Sequence, residues 1–164
     1  MFFSTDTVAA VILVSLALGL LNMSWTYYKI RLDETYHVYD MKYKANILSD
    51  ILVKTPGEPV NWEEVPGDEV VSLGFARKDR EIDPDKIRGI KYLSDQKIRE
   101  ILKTDQFNFQ IIVRSLDGTI IKQVGDAPSG GISAKATRVV SYDGQTAFFE
   151  LTVWGDKKIV AGAL

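Results

Sequence analysis

The chain has no cysteine, a single histidine and no proline before Pro56. The missing cysteine excludes disulfides, thiolate metal sites and cysteine nucleophiles, so any folded domain must hold together by packing. The lone His37 sits among tyrosines in a helical stretch and reads as a helix-face residue, not as a base or a ligand. No His/Asp/Glu cluster has metal spacing, and no serine sits in a nucleophile elbow. The sequence therefore predicts no enzyme and no cofactor. Charge is nearly absent from the first 28 residues, Asp6 being the exception, and the formal net charge of the whole is −2. That balance gives no broad field for nucleic acid.

What is present is an oily start. Thr7 to Trp25 carries no charge, and its roughly 19 residues would span about 28 Å as a helix, close to a bilayer core. Val8, Val11, Ile12, Leu13, Leu16, Leu18, Leu20 and Leu21 make it apolar on every side. Trp25, Tyr27 and Tyr28 follow where an interfacial aromatic belt belongs, and Lys29 and Arg31 come next. A cleaved signal peptide would want a basic start and a small-x-small site, and large aromatics occupy that place instead. The residues thus predict a membrane-inserting helix. By the positive-inside rule, the bases after it would on their own hold the following domain in the cytoplasm.

Helical spacing continues past the membrane stretch. Tyr28, Leu32, Tyr36, Tyr39, Tyr43, Ile47 and Ile51 step by threes and fours, with polar residues between. This predicts one helix of about 50 residues, roughly 75 Å long, ending before Thr55-Pro56-Gly57. The tyrosine-rich stripe is expected to pack on the chain's own globular domain, with a coiled-coil partner as the alternative.

Residues 55–67 hold three of the five prolines and read as a linker. Trp62 there is expected to plug the edge of the core. Val70 to Ala76 reads as a short strand. Asp83-Pro84 is a cap followed by proline at the first helical position, and Ile87, Ile90, Tyr92 and Leu93 give that helix an inward face. Ser94 or Asp95 caps a second short helix with Ile98, Ile101 and Leu102 inward. Asp79, Asp83 and Asp85 lack the glycine and closing glutamate of a calcium loop and read as solvated surface.

From Phe107 the period changes to two. Phe107, Phe109, Ile111 and Val113 share one face of a strand ending at Ser115. Asp117-Gly118 turns the chain into a strand over Thr119 to Val124. A glycine-rich loop follows, joining strand to strand and not cradling phosphate. Ile132 to Tyr142 and Gln145 to Trp154 form a hairpin through Asp143-Gly144. The predicted fold class is α+β: a long N-terminal helix packed on a four-stranded antiparallel meander. The expected segments are 1–25 (membrane or filament-core helix), 26–54 (amphipathic stalk), 55–106 (linker, short strand, two short helices) and 107–164 (sheet), the last three forming one globular domain.

Asp6 is the residue whose position demands an explanation. A carboxylate at the oily end is costly in hydrocarbon and calls for a cationic or donor partner. It is also favoured by the helix dipole in a first turn. The functional reading is a pairing with a charge on another chain.

This order of elements, with the start Phe2-Phe3-Ser4-Thr5-Asp6, the segment Ile51–Trp62 and the later Ser72–Ala76, resembles the archaeal group of type IV pilin-like proteins. The resemblance covers nearly the whole chain through short motifs. It implies a type IV pilin fold and a structural role in a cell-surface filament, as a major or minor subunit. The partners implied are identical or related subunits, membrane lipid before assembly, a prepilin peptidase and the pilus assembly machinery. It implies that the domain lies outside the membrane and that, for a mature chain starting at Phe2, Asp6 is the fifth residue and neutralises a neighbour's N-terminal amine. The family's bacterial members carry glutamate there. The alternative from another class is a single-span tethered binding or accessory domain that never polymerises.

Overall fold

A computed structural model describes residues 5–104, 107–129 and 131–155. The helix α1 (Thr5–Lys54) runs uninterrupted over 50 residues. It stops where expected, because Thr55 precedes a proline and is biased away from helix, while Gly57 takes a positive φ of 84°. The chain divides between His37 and Val38 into two compact units. The first contains, among the described residues, only the N-terminal part of α1.

The second unit is α+β. After α1 come β1 (Gly57–Glu58), single turns of 3₁₀ helix at Trp62–Glu64 and Gly67–Glu69, β2 (Ser72–Leu73), β3 (Ala76–Lys78) and β4 (Glu81–Ile82). Next are α2 (Pro84–Gly89), a further 3₁₀ turn at Ile90–Tyr92 and α3 (Asp95–Leu102). Asp83 caps α2 by accepting from the Asp85 amide, and Ser94 caps α3 by accepting from the Lys97 amide. Both caps are the short polar residues that helix starts require. The strands β5 (Asn108–Ser115), β6 (Ile120–Val124), β7 (Ile132–Tyr142) and β8 (Gln145–Gly155) complete the chain. The predicted segment boundary at 106/107 and everything after residue 155 lie outside the described residues.

The sheet corrects the predicted four-stranded antiparallel meander. It is a curled mixed sheet of six strands in the order β3-β4-β7-β8-β5-β6. Four of the six are those expected, and each pairs antiparallel with its neighbour. The other two form a tight hairpin through Asp79 and Arg80, and β4 adds to β7 in parallel, Glu81 opposite Ser141 and Ile82 opposite Tyr142. They escaped notice because Lys78-Asp79-Arg80-Glu81 has no apolar alternation. What docks them is main chain: the Ser141 amide donates to Arg80 O at 2.7 Å.

The concave face behaves as the period predicts. Phe107, Phe109, Ile111 and Val113 are buried with Ala147, Phe149, Leu151 and Val153. Phe75 bridges this layer to the linker, its ring centroid 6.0 Å from that of Phe149 and 6.1 Å from that of Trp62.

The face of α1 that packs here is not the tyrosine stripe. Tyr39 and Tyr43 are 72% and 59% exposed, and Ile47 and Ile51 are exposed as well. The buried positions are Met41, Ala45, Ser49, Leu52 and Val53. Ala45 is apolar and the Ser49 hydroxyl donates to Asn46 O at 2.8 Å within the helix, whereas the tyrosine hydroxyls would need buried partners. The upstream members of the stripe, Tyr28, Leu32 and Tyr36, are exposed too. Tyr92, expected inward, is 75% exposed, since a 3₁₀ turn replaces the last helical turn there.

Candidate functional site

The first unit offers a surface. Within α1 an 18-residue window has a mean hydropathy of 2.1, and none of it is buried among the described residues. The helix is long and apolar enough to cross a membrane. Val8, Val11, Ile12, Leu13, Leu16, Leu18, Leu20 and Leu21 are all exposed. Because 3.6 residues make a turn, these eight positions cover the whole circumference. A helix apolar all round is at home inside hydrocarbon or among other helices, not on a water-facing surface.

Asp6 lies in the first turn of α1 and is exposed. The free N–H groups there favour a carboxylate. Phe2, the expected mature start, lies outside the described residues. At the other end of the oily stretch Trp25, Tyr27 and Tyr28 are exposed. Arg31 folds back one turn onto Tyr27: its Nε and Nη2 donate to the phenolic oxygen at 3.1 and 3.0 Å, and its guanidinium sits 5.5 Å from the ring centroid. Amphipathic rings beside a cation suit the boundary between hydrocarbon and water.

In the second unit the C-terminal part of α1 is fastened to the sheet. Arg138 on β7 donates from Nε to Asp50 at 2.8 Å, and its Nη2 donates to the main-chain and side-chain oxygens of Asn46, each at 3.1 Å. The Arg138 hydrogen bond holds the Asp50 carboxyl below the usual carboxylate range.

The linker is fastened twice. Trp62 plugs the core as expected, and its indole N–H donates to Gly74 O at 2.8 Å, which leaves no polar handle for a ligand. Lys86, 4% exposed, donates from Nζ to the carbonyls of Pro56 and Val60. Burial pushes its ammonium below the usual lysine range, while the charges of Glu63 and Asp83 oppose that shift. The sequence reading missed Lys86. Its one signal was a lysine beside Ile87 and one turn before Ile90, on the inward face of α2. Among the described residues no group of three or more His, Asp or Glu side chains is placed to hold a metal ion.

Comparison with known proteins gives no match to any family model, curated protein or solved structure.

Proposed function

We propose that this chain is a structural subunit of a type IV pilin-like cell-surface filament of the archaeal kind. The observation that carries the reading is the contrast along α1. Its first part is apolar on all sides and unburied among the described residues, while from Met41 onward one face is buried in a folded head. Such a helix suits two solvents in turn. In the membrane, lipid covers Val8 to Met23. In a filament, the same residues of identical or related subunits cover one another, so extraction from the bilayer exchanges one apolar environment for another. The head stays outside the membrane as the surface of the filament. A prepilin peptidase and an assembly machinery are the partners this cycle requires.

Asp6 is the registering residue in this reading. A carboxylate drawn into a packed apolar core needs a cation, and the N-terminal amine of a neighbouring subunit supplies one. A buried pair of that kind disfavours every stagger that leaves either charge alone.

The test is mass spectrometry of the native N-terminus in sheared surface material and in membranes, together with Asp6→Ala. A chain beginning at Phe2 in sheared filaments, with Asp6→Ala retained in the membrane and lost from filaments, is the expected outcome. An intact Met1 found only in membranes, with Asp6→Ala behaving as wild type, would identify a tethered domain that does not polymerise.

A further inference from the structure

One long cleft runs beside β6. Its central section, about 490 Å³, lies between Lys122 to Gly125 on one side and α2, the 3₁₀ turn and α3 on the other. It continues through Arg88 and Lys122 into a section of about 490 Å³ that reaches Glu81 on β4 and Tyr142 on β7. At the other end Asp95, Phe109 and Gly125 are shared with a section of about 310 Å³ that reaches Trp154 on β8. The sheet therefore curls until its β6 edge faces its β4 side across this cleft.

The wall made by β6 is its backbone. Successive side chains of a strand point to opposite faces, so the three consecutive β6 residues Lys122, Gln123 and Val124 line one cleft by presenting the strand edge to it. β6 is the last strand in the order, paired with β5 alone. Its outward N–H and C=O groups have no strand partner among the described residues. The floor is apolar, formed by Ile87, Ile90, Ile98, Phe109 and Val124. Lys91 and Lys122 line it with no ion pair among the described residues, the Lys91 ammonium lying 4.8 Å from the Tyr92 ring centroid; Asp95 is the one acid in the central section, and the Arg88 guanidinium is engaged by Asp85.

We infer that this cleft takes an extended peptide of a partner protein, added to β6 as a seventh strand, apolar at alternate positions and carrying a carboxylate opposite Lys122. An edge of free main-chain groups beside a helical wall is the arrangement in which strand addition supplies affinity and side-chain pockets supply specificity. The charge selects the occupant. A lysine on the concave side of an edge strand disfavours joining with another copy of the same edge, since two such lysines would meet. It favours a strand that brings an acid. This inference does not depend on whether the chain polymerises.

The test uses the full chain in detergent micelles and a fluorescein-labelled, end-capped octapeptide of alternating valine and threonine with one central glutamate. A second probe has lysine in place of glutamate. Expected are saturable binding of the glutamate probe, slower hydrogen exchange across residues 120–124, and about tenfold weaker binding to Lys122→Glu, which should prefer the lysine probe. Lys122 is exposed, so the variant should keep its fold, and Lys91→Glu gives an independent second reading. Equal binding of both probes to wild type, or no saturation of either, would overturn the inference. So would slow exchange across β6 in the protein alone, because the edge would then already be covered by the chain's own residues or, if dilution speeds the exchange, by a second copy.

Discussion

Arg138 and Asp50 are separated by 88 residues in sequence and joined at 2.8 Å. Their bond fixes where along α1 the sheet sits, since the same guanidinium also grips Asn46 one turn earlier. Arg138→Ala should destabilise the head by about 1–2 kcal/mol, a figure limited by solvent screening of a carboxylate that is 41% exposed. The folded-state pKa of Asp50 is depressed, so its contribution is present above the unfolded carboxylate value and is lost as pH falls through the folded one. Thermal unfolding should therefore separate wild type from Arg138→Ala at about pH 7, and the gap should narrow as pH falls below the ordinary carboxylate range. A gap unchanged by acid would show that Arg138 acts through packing alone.

Lys86 makes a pH prediction of the same sign in a different window. Its folded-state pKa is depressed by burial, so the unfolded chain binds the proton more readily. Its contribution is complete above the unfolded lysine value, about 10.4, and falls as pH drops through the folded value. Raising pH from neutral should thus stabilise wild type relative to Lys86→Met across the alkaline range. At neutral pH Lys86→Met leaves the carbonyls of Pro56 and Val60 without their donor, and a loss of about 1–3 kcal/mol is expected. Urea unfolding of both proteins across the pH range measures each effect.

Local chemistry made much of this fold legible. The β7–β8 hairpin could be read because alternation flanks Asp143-Gly144, and both residues adopt positive φ, 51° and 75°. Asp83 could be read as a cap, and the second cap narrowed to Ser94 or Asp95, because a cap is decided within three residues. The β3–β4 pair could not, because its place is set by β7, about sixty residues further on, through main-chain bonds that any side chains allow. The packed face of α1 was hidden for a different reason. Two stripes at helical spacing compete there: the one read first is marked by large rings, Tyr36, Tyr39 and Tyr43, whereas the buried one runs through Met41, Ala45, Ser49, Leu52 and Val53. The oily stretch and Asp6 were plain from the sequence, since neither depends on the rest of the chain.

Gly74 has no room for a side chain. A Cβ there would stand 2.1 Å from Thr55 O and 2.5 Å from the Gly57 nitrogen, both backbone atoms unable to swing aside. The close approach lets the end of α1 pair with the linker, where the Phe75 amide donates to Leu52 O at 2.8 Å and the Ala76 amide to Thr55 O at 3.1 Å. Gly74→Ala should cost about 1–3 kcal/mol by forcing these strands of backbone apart. Hydrogen exchange at Phe75 and Ala76 should accelerate more than exchange in β7 and β8. Uniform acceleration would show that the strain is not confined to this junction.

The two faces of α1 predict opposite responses to substitution. Tyr39→Ser with Tyr43→Ser removes two rings that the head does not bury, so head stability should change by less than about 0.5 kcal/mol. Ala45→Leu adds three carbons at a position 1% exposed against the sheet and should destabilise by about 1–3 kcal/mol. Chemical unfolding followed by the near-ultraviolet signal of the buried Trp62 and Trp154, in a Trp25→Phe background, reports on the head and not on the oily part of the helix. If the double tyrosine variant proves the less stable, the helix packs through the tyrosine stripe, and the face assignment is reversed. If the order is as expected, Tyr39 and Tyr43 are free to meet another molecule, and the same double variant can be carried into an assembly assay without confusing loss of contact with loss of fold.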